Sequence, residues 1–149
     1  MGVLIDDRQE THPAMPAKIE QKAQAILDAL GCPEKELSIL LVDDLQMADL
    51  NATYLRRDGP TNVIAFPMQE GEFADISPDL LGDVVISLDT AEQEGGMAGI
   101  DTVTRTVELL VHGVLHLMGY DHENDQDEAR RMEEKSVAVL EAIGNRSGG

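Results

Sequence analysis

Three of the four histidines of this 149-residue chain, His112, His116 and His122, lie within eleven positions of one another. His112 and His116 are four residues apart in a segment whose apolar residues recur with a helical period. Their side chains therefore leave one face of the helix about one turn apart. That is how a single helix offers two imidazole nitrogens to one metal ion. Gly119 ends the helical pattern, and Tyr120 and Asp121 carry the chain round so that His122 can return as a third ligand. Three histidines leave the fourth position of a tetrahedral zinc site to water, the pattern of catalytic rather than structural zinc. A histidine pair at this spacing is also met as two half-buried, hydrogen-bonded residues of an amphipathic helix; the third histidine tips the balance to metal. Asp121 offers a fourth ligand, but Asp and His at adjacent positions reach one metal poorly, so the open site is expected. His12 stands in a polar N-terminal stretch and reads as an ordinary surface residue.

The common zinc-peptidase motif places Glu directly after the first helical histidine, as general base. Here that position is Gly113. Three other carboxylates are candidates for the base: Glu108, one turn before His112 on the same face; Asp121; and Asp83, at the mouth of a strand. Glu108 reads equally well as a helix surface charge or as a group that orients His112. The sequence does not choose among the three.

The elements that must position these residues alternate between strand and helix. Strands are expected at 3–6, 37–42, 61–66 and 84–87, and helices at 16–30, 44–54, 89–94, 101–118 and 125–143. The first helix has Ile19, Ala23, Ile26, Leu27 and Leu30 on one face and stops at Gly31. In the second, Met47, Leu50 and Tyr54 face inward, and the third stops at Gly95-Gly96. The helix carrying His112 starts from a cap at Asp101 or Thr102, and Val103, Val107, Leu110, Val111, Val114 and Met118 form its buried stripe. Residues 56–60 are a charged turn, and 68–80 a long acidic loop. The interleaving predicts an α/β (α+β) architecture: one domain over residues 1–149, a small sheet with helices against it.

Composition bounds the function. With 11 basic and 29 acidic residues the net charge is −18, which argues against a broad basic surface that grips nucleic acid by counterion release. A small positive site around a metal remains compatible with it, because a ligand feels the local potential. Cys32 is the one cysteine, so neither an intrachain disulfide nor a cysteine-rich zinc site can form, and a reducing compartment is expected. No secretory signal and no apolar run long enough to span a bilayer is seen, so a soluble cytoplasmic protein is expected. The acidic surface offers no evident homodimer patch, and a monomer is expected.

The run His112-Gly-Val-Leu-His116-Leu-Met-Gly119-Tyr120-Asp121-His122 closely resembles the signature of the YbeY family, single-strand-specific endoribonucleases of ribosomal RNA maturation. Two further blocks agree in order and spacing. One comprises Leu50-Asn51, Tyr54, Asp58, Pro60-Thr61-Asn62-Val63 and Phe66-Pro67; the other is Leu81-Gly82-Asp83-Val84-Val85-Ile86-Ser87. With the 37–44 strand they cover almost the whole chain. The resemblance implies one zinc held by His112, His116 and His122 in a deep groove beside a small mixed sheet, a fold with a zincin-like metal-binding helix. It also implies cleavage of single-stranded rRNA, maturation of small-subunit rRNA chiefly at its 3′ end, ribosome quality control, and the small ribosomal subunit with its proteins as partners. The family usually has Arg directly after the aromatic matched by Tyr54; here Leu55 stands there, followed by Arg56 and Arg57. Arg57 matches a basic position of the family, and Arg56 is a displaced substitute for the missing one. Ala65 stands where Ser is common.

The chemistry expected is metal-assisted phosphodiester hydrolysis, with Arg56 or Arg57 adding positive charge near the developing oxyanions. Attack by the RNA 2′-hydroxyl is a second route that the sequence does not separate from attack by water. A −18 chain should bind free RNA weakly, so ribosomal partners are expected to deliver the substrate. The competing readings are a zinc peptidase, which Gly113 disfavours, a hydrolase of some small phosphoester or amide, and a zinc-stabilised assembly factor without turnover.

Overall fold

The computed structural model describes residues 2–67, 80–120 and 126–144. Strand β1 (Val3–Asp7) leads into helix α1 (Met15–Ala29), strand β2 (Glu36–Val42) and helix α2 (Asp44–Leu50). Helix α2 widens into a π-helical turn, Asn51–Leu55. Strands β3 (Val63–Pro67) and β4 (Leu80–Ser87) follow, then helices α3 (Leu88–Ala98), α4 (Thr102–Leu117) and α5 (Gln126–Ala142). Among the described residues the strands form one sheet in the order β1-β2-β4-β3. β1, β2 and β4 run parallel, and β3 is an antiparallel edge strand on β4. The helical crossover through α1 is what allows β1 and β2 to run parallel. The expected small mixed sheet flanked by helices is therefore present.

Alternation along the strands sorts side chains to two faces. Ile39, Leu41, Val84 and Ile86 pack under α1 and α4, against Ile19, Ile26, Leu27, Val107, Leu110 and Val114, all fully buried. Val42, Ile64 and Val85 point the other way and join Met47 of α2 in a smaller cluster. At the ends of β2 and β4 the Asp44 carboxylate accepts from Ser87 Oγ and Thr90 Oγ1, each at 2.6 Å, tying α2 and α3 to the sheet.

Several sequence expectations are corrected. Helix α3 runs through Gly95-Gly96 to Ala98 and ends at left-handed Gly99. Gly95 is there for close approach: a Cβ at this position would sit 3.1 Å from the carbonyl oxygen of Ile100. β4 starts at Leu80 rather than 84, because pairing with β2 and β3 extends it past the glycine at 82. The second helix is α-helical only to Leu50, and Tyr54 on the widened turn is 63% exposed, edge-on to Phe66, rather than inward-facing. Met118, expected in the buried stripe, is 39% exposed at the cap of α4, where the helical face no longer meets the core. His12 is half-buried, its Nε2 3.3 Å from Glu92, because its loop folds onto α3. The loop expected at 68–80 lies outside the described residues except for Leu80. No helix among the described residues is long and apolar enough to cross a membrane.

Candidate functional site

Helix α4 carries the site. The Asp101 side chain accepts the Thr104 amide N–H at 2.8 Å, a cap that starts the helix and satisfies one of its free amides. Hydrogen bonds from the Thr104 side chain and backbone hold the Asp101 carboxyl below its ordinary value. Gly113 then lets the helix settle on the sheet. A Cβ there would meet Val84 Cγ1 at 2.8 Å and Cγ2 at 3.2 Å, so the position adjacent to His112 has no room for a glutamate base. With Gly113 turned to the sheet, His112 and His116 fall on the flank of the helix, both half-buried. Their rings meet edge to face with centroids 4.7 Å apart and planes at 73°. The helical spacing thus brings the pair together as the sequence requires. Two imidazoles so placed fit a shared metal ion.

Asp121 and His122 lie outside the described residues. Among the described residues no group of three or more His, Cys, Asp or Glu could hold a metal ion. Cys32 is no ligand in waiting: burial, then the nearby Glu34 charge, pushes its thiol up, which disfavours the thiolate a metal needs.

A cavity of about 530 Å³ opens beside His112, between α4, α5 and the chain entering β3. Asn62, Arg105 and Glu108 give it polar groups, and Val63, Leu109 and Met132 an apolar wall. Glu108 shares the cavity with His112, as its position one turn earlier requires, and its carboxylate meets Arg105 Nη1 at 2.9 Å. Arg105 also reaches Glu94 of α3, through Nη2 at 3.0 Å and Nε at 3.1 Å. The Asn62 side-chain amide donates to the same Glu94 carboxylate at 3.3 Å. Burial opposes the guanidinium charge, but the hydrogen bonds to Glu108 and Glu94 outweigh it and raise the Arg105 pKa. Sequence reasoning missed Arg105 and Glu94. The Arg105–Glu108 spacing was a visible signal, but Glu94 comes from another helix.

Asp83, one of the three base candidates, is on the wrong face. Its neighbour Val84 touches α4 at Gly113, so Asp83 points to the opposite side, into a cavity with Ser38, Tyr54 and Phe66. Arg56 and Arg57 are exposed in the turn before β3, and neither lines the cavity beside His112. Arg56 adopts a left-handed backbone (φ 55°) as the π-helical turn closes. Buried Asn51 fixes this turn: its carbonyl accepts the Arg57 amide at 3.2 Å and its side chain donates to Gly59 O at 2.8 Å.

The model of the family described as Endoribonuclease YbeY matches residues 4–144. A curated relative of that description from Geobacter sulfurreducens is 47% identical over 146 residues, covering 97% of each chain. One from Aquifex aeolicus is 43% identical over 126 residues, covering 85% of this chain and 82% of its own. Among solved structures, the solution structure of a Thermotoga maritima protein superposes with a TM-score of 0.65 at 22% identity, covering 95% of this chain and 88% of that one. That last likeness concerns the fold alone. A family match over nearly the whole length, with relatives above two-fifths identity, leads to one conclusion: this chain belongs to the Endoribonuclease YbeY family.

Proposed function

We propose that this chain is a zinc-dependent endoribonuclease that cuts single-stranded RNA in small-subunit rRNA maturation and ribosome quality control, with His112, His116 and His122 holding one zinc. The observation that carries the reading is the edge-to-face pair of His112 and His116 on one flank of α4, in a chain that matches this family over residues 4–144. When bound, zinc polarises a phosphoryl oxygen and lowers the pKa of a water molecule. The protein's part is to hold the imidazoles: Gly113 seats the helix on Val84, and the buried stripe of Val107, Leu110 and Val114 fixes its rotation. Glu108 is the better placed of the described base candidates, because it lines the cavity beside His112. Asp121 stays a candidate by its place next to His122. Arg56 and Arg57, exposed at the edge of the sheet, are suited to phosphate oxygens of an incoming strand.

The whole chain, 1–149, is read as one domain whose zincin-like helix is α4, acting in the cytoplasm as a monomer. Its −18 charge favours delivery of the RNA by proteins of the small ribosomal subunit over capture of free RNA. The test is a pair of RNAs of one sequence, single-stranded and duplex, with metal content read in the same samples. The expected result is about one zinc per chain and cleavage of the single strand alone, both lost in His116→Ala. A folded, zinc-loaded chain that cuts neither RNA, with or without small subunits, would refute the nuclease reading. Cleavage of a peptide panel instead would revive the peptidase.

A further inference from the structure

Glu108, His112 and His116 recur every four residues along one flank of α4, so a carboxylate stands one turn from the histidine pair. A carboxylate and two imidazoles are a ready ligand set for zinc. Yet among the described residues these three do not form a cluster able to hold a metal. The carboxylate is turned instead to Arg105, at 2.9 Å, with its side chain only 17% exposed. Arg105 is in turn anchored by two contacts to Glu94 on α3, and Glu94 is held by Asn62 ahead of β3. The clamp therefore joins three segments of the fold and draws the Glu108 carboxylate toward Arg105.

We propose that Arg105 is a positioning residue that keeps Glu108 off the metal held by His112 and His116, so that a coordination position stays open for water or substrate. The reason is electrostatic. A mostly buried carboxylate needs a countercharge. Without Arg105 the nearest strong positive charge on the same helix flank is the metal itself, one turn away. Glu108 would then close the site. Arg105 also stands between the Glu94 and Glu108 carboxylates and offsets one of their two negative charges.

The inference rests on the reading of His112 and His116 as metal ligands, and the experiment separates the two. Zinc affinity by chelator competition and the visible spectrum of the cobalt(II)-loaded protein are measured for the full chain, Glu108→Gln, Arg105→Met and the double variant. Glu108→Gln is expected to bind zinc as the parent does. Arg105→Met is expected to bind zinc about tenfold tighter, with a shifted cobalt spectrum as carboxylate oxygen takes the open position from water, and with lower turnover. The double variant should return affinity and spectrum to the parent's. Should Arg105→Met fail to fold, Glu94→Gln removes one anchor and should shift the cobalt spectrum the same way, by less. Loss of zinc in Glu108→Gln alone would overturn the proposal, because Glu108 would already be a ligand. An unmoved spectrum in a folded Arg105→Met, or in Glu94→Gln when it stands in, would overturn it too. A parent chain that binds no zinc would refute the metal reading itself, and the proposal with it.

Discussion

The two faces of the sheet are finished differently. Under α1 and α4, Ile39, Leu41, Val84 and Ile86 are wholly buried, and a glycine is needed for the helix to come close enough. On the other face, Val42, Met47, Ile64 and Val85 are sealed, but Leu4 is 66% and Tyr54 63% exposed. The His112–His116 pair stands on the helix that the closed face holds rigidly. The exposed arginines stand on the turn that leaves the open face. Rigid packing suits a group that must keep two imidazoles in register. A loosely covered face suits contacts that form only when another molecule arrives.

The sharpest way to break this contrast is to hollow out the closed face. Leu110→Ala removes a fully buried side chain beneath α4 and should destabilise the chain by about 2–5 kcal/mol in urea unfolding. Next comes the contact that sets the helix height. Gly113→Ala drives a Cβ into Val84 and should cost about 1–3 kcal/mol, with zinc affinity falling as the helix lifts. Val84→Ala in the same chain should recover part of that loss, and a Gly113→Ala midpoint equal to the parent's would show that the closed face has slack. The cap of α4 is a smaller lever. Asp101→Ala should cost about 1 kcal/mol at neutral pH. Because the Asp101 carboxyl is held below its ordinary value in the folded chain, its contribution is complete above that value and is lost as pH falls through the folded one. The gap between parent and variant should therefore narrow below about pH 4. A gap constant down to pH 2, about two units lower still, would contradict it. On the open face, Tyr54→Ala removes only an exposed edge-to-face partner of Phe66 and should cost about 0.5 kcal/mol. A cost matching that of Leu110→Ala would erase the distinction between the faces.

Much of the site was legible in the chain because helical spacing is local. His112 and His116 share a flank through backbone geometry alone, whatever the helix packs on. The same holds for the Asp101 cap and for Glu108 one turn before His112. What failed were readings that depend on distant neighbours. Gly95-Gly96 looked like a stop because glycine usually ends helices, but packing against the Ile100 carbonyl put Gly95 inside one. Tyr54 looked buried by its apolar spacing, until the π-helical turn rotated it outward. Asp83 looked close to the chemistry because it opens a strand, and register decided otherwise.

By itself, then, the sequence determined the histidine pair, its helix, the absence of a glutamate beside His112 and the alternation of strands and helices. Each of these follows from periodicities of two and 3.6 residues that covalent geometry imposes within a few positions. The tertiary structure alone decided the strand order, the face to which Asp83 points and the Asn62–Glu94–Arg105–Glu108 clamp. Those depend on which surfaces meet across long stretches of chain, where many pairings satisfy the same local pattern and only close packing of the whole selects one.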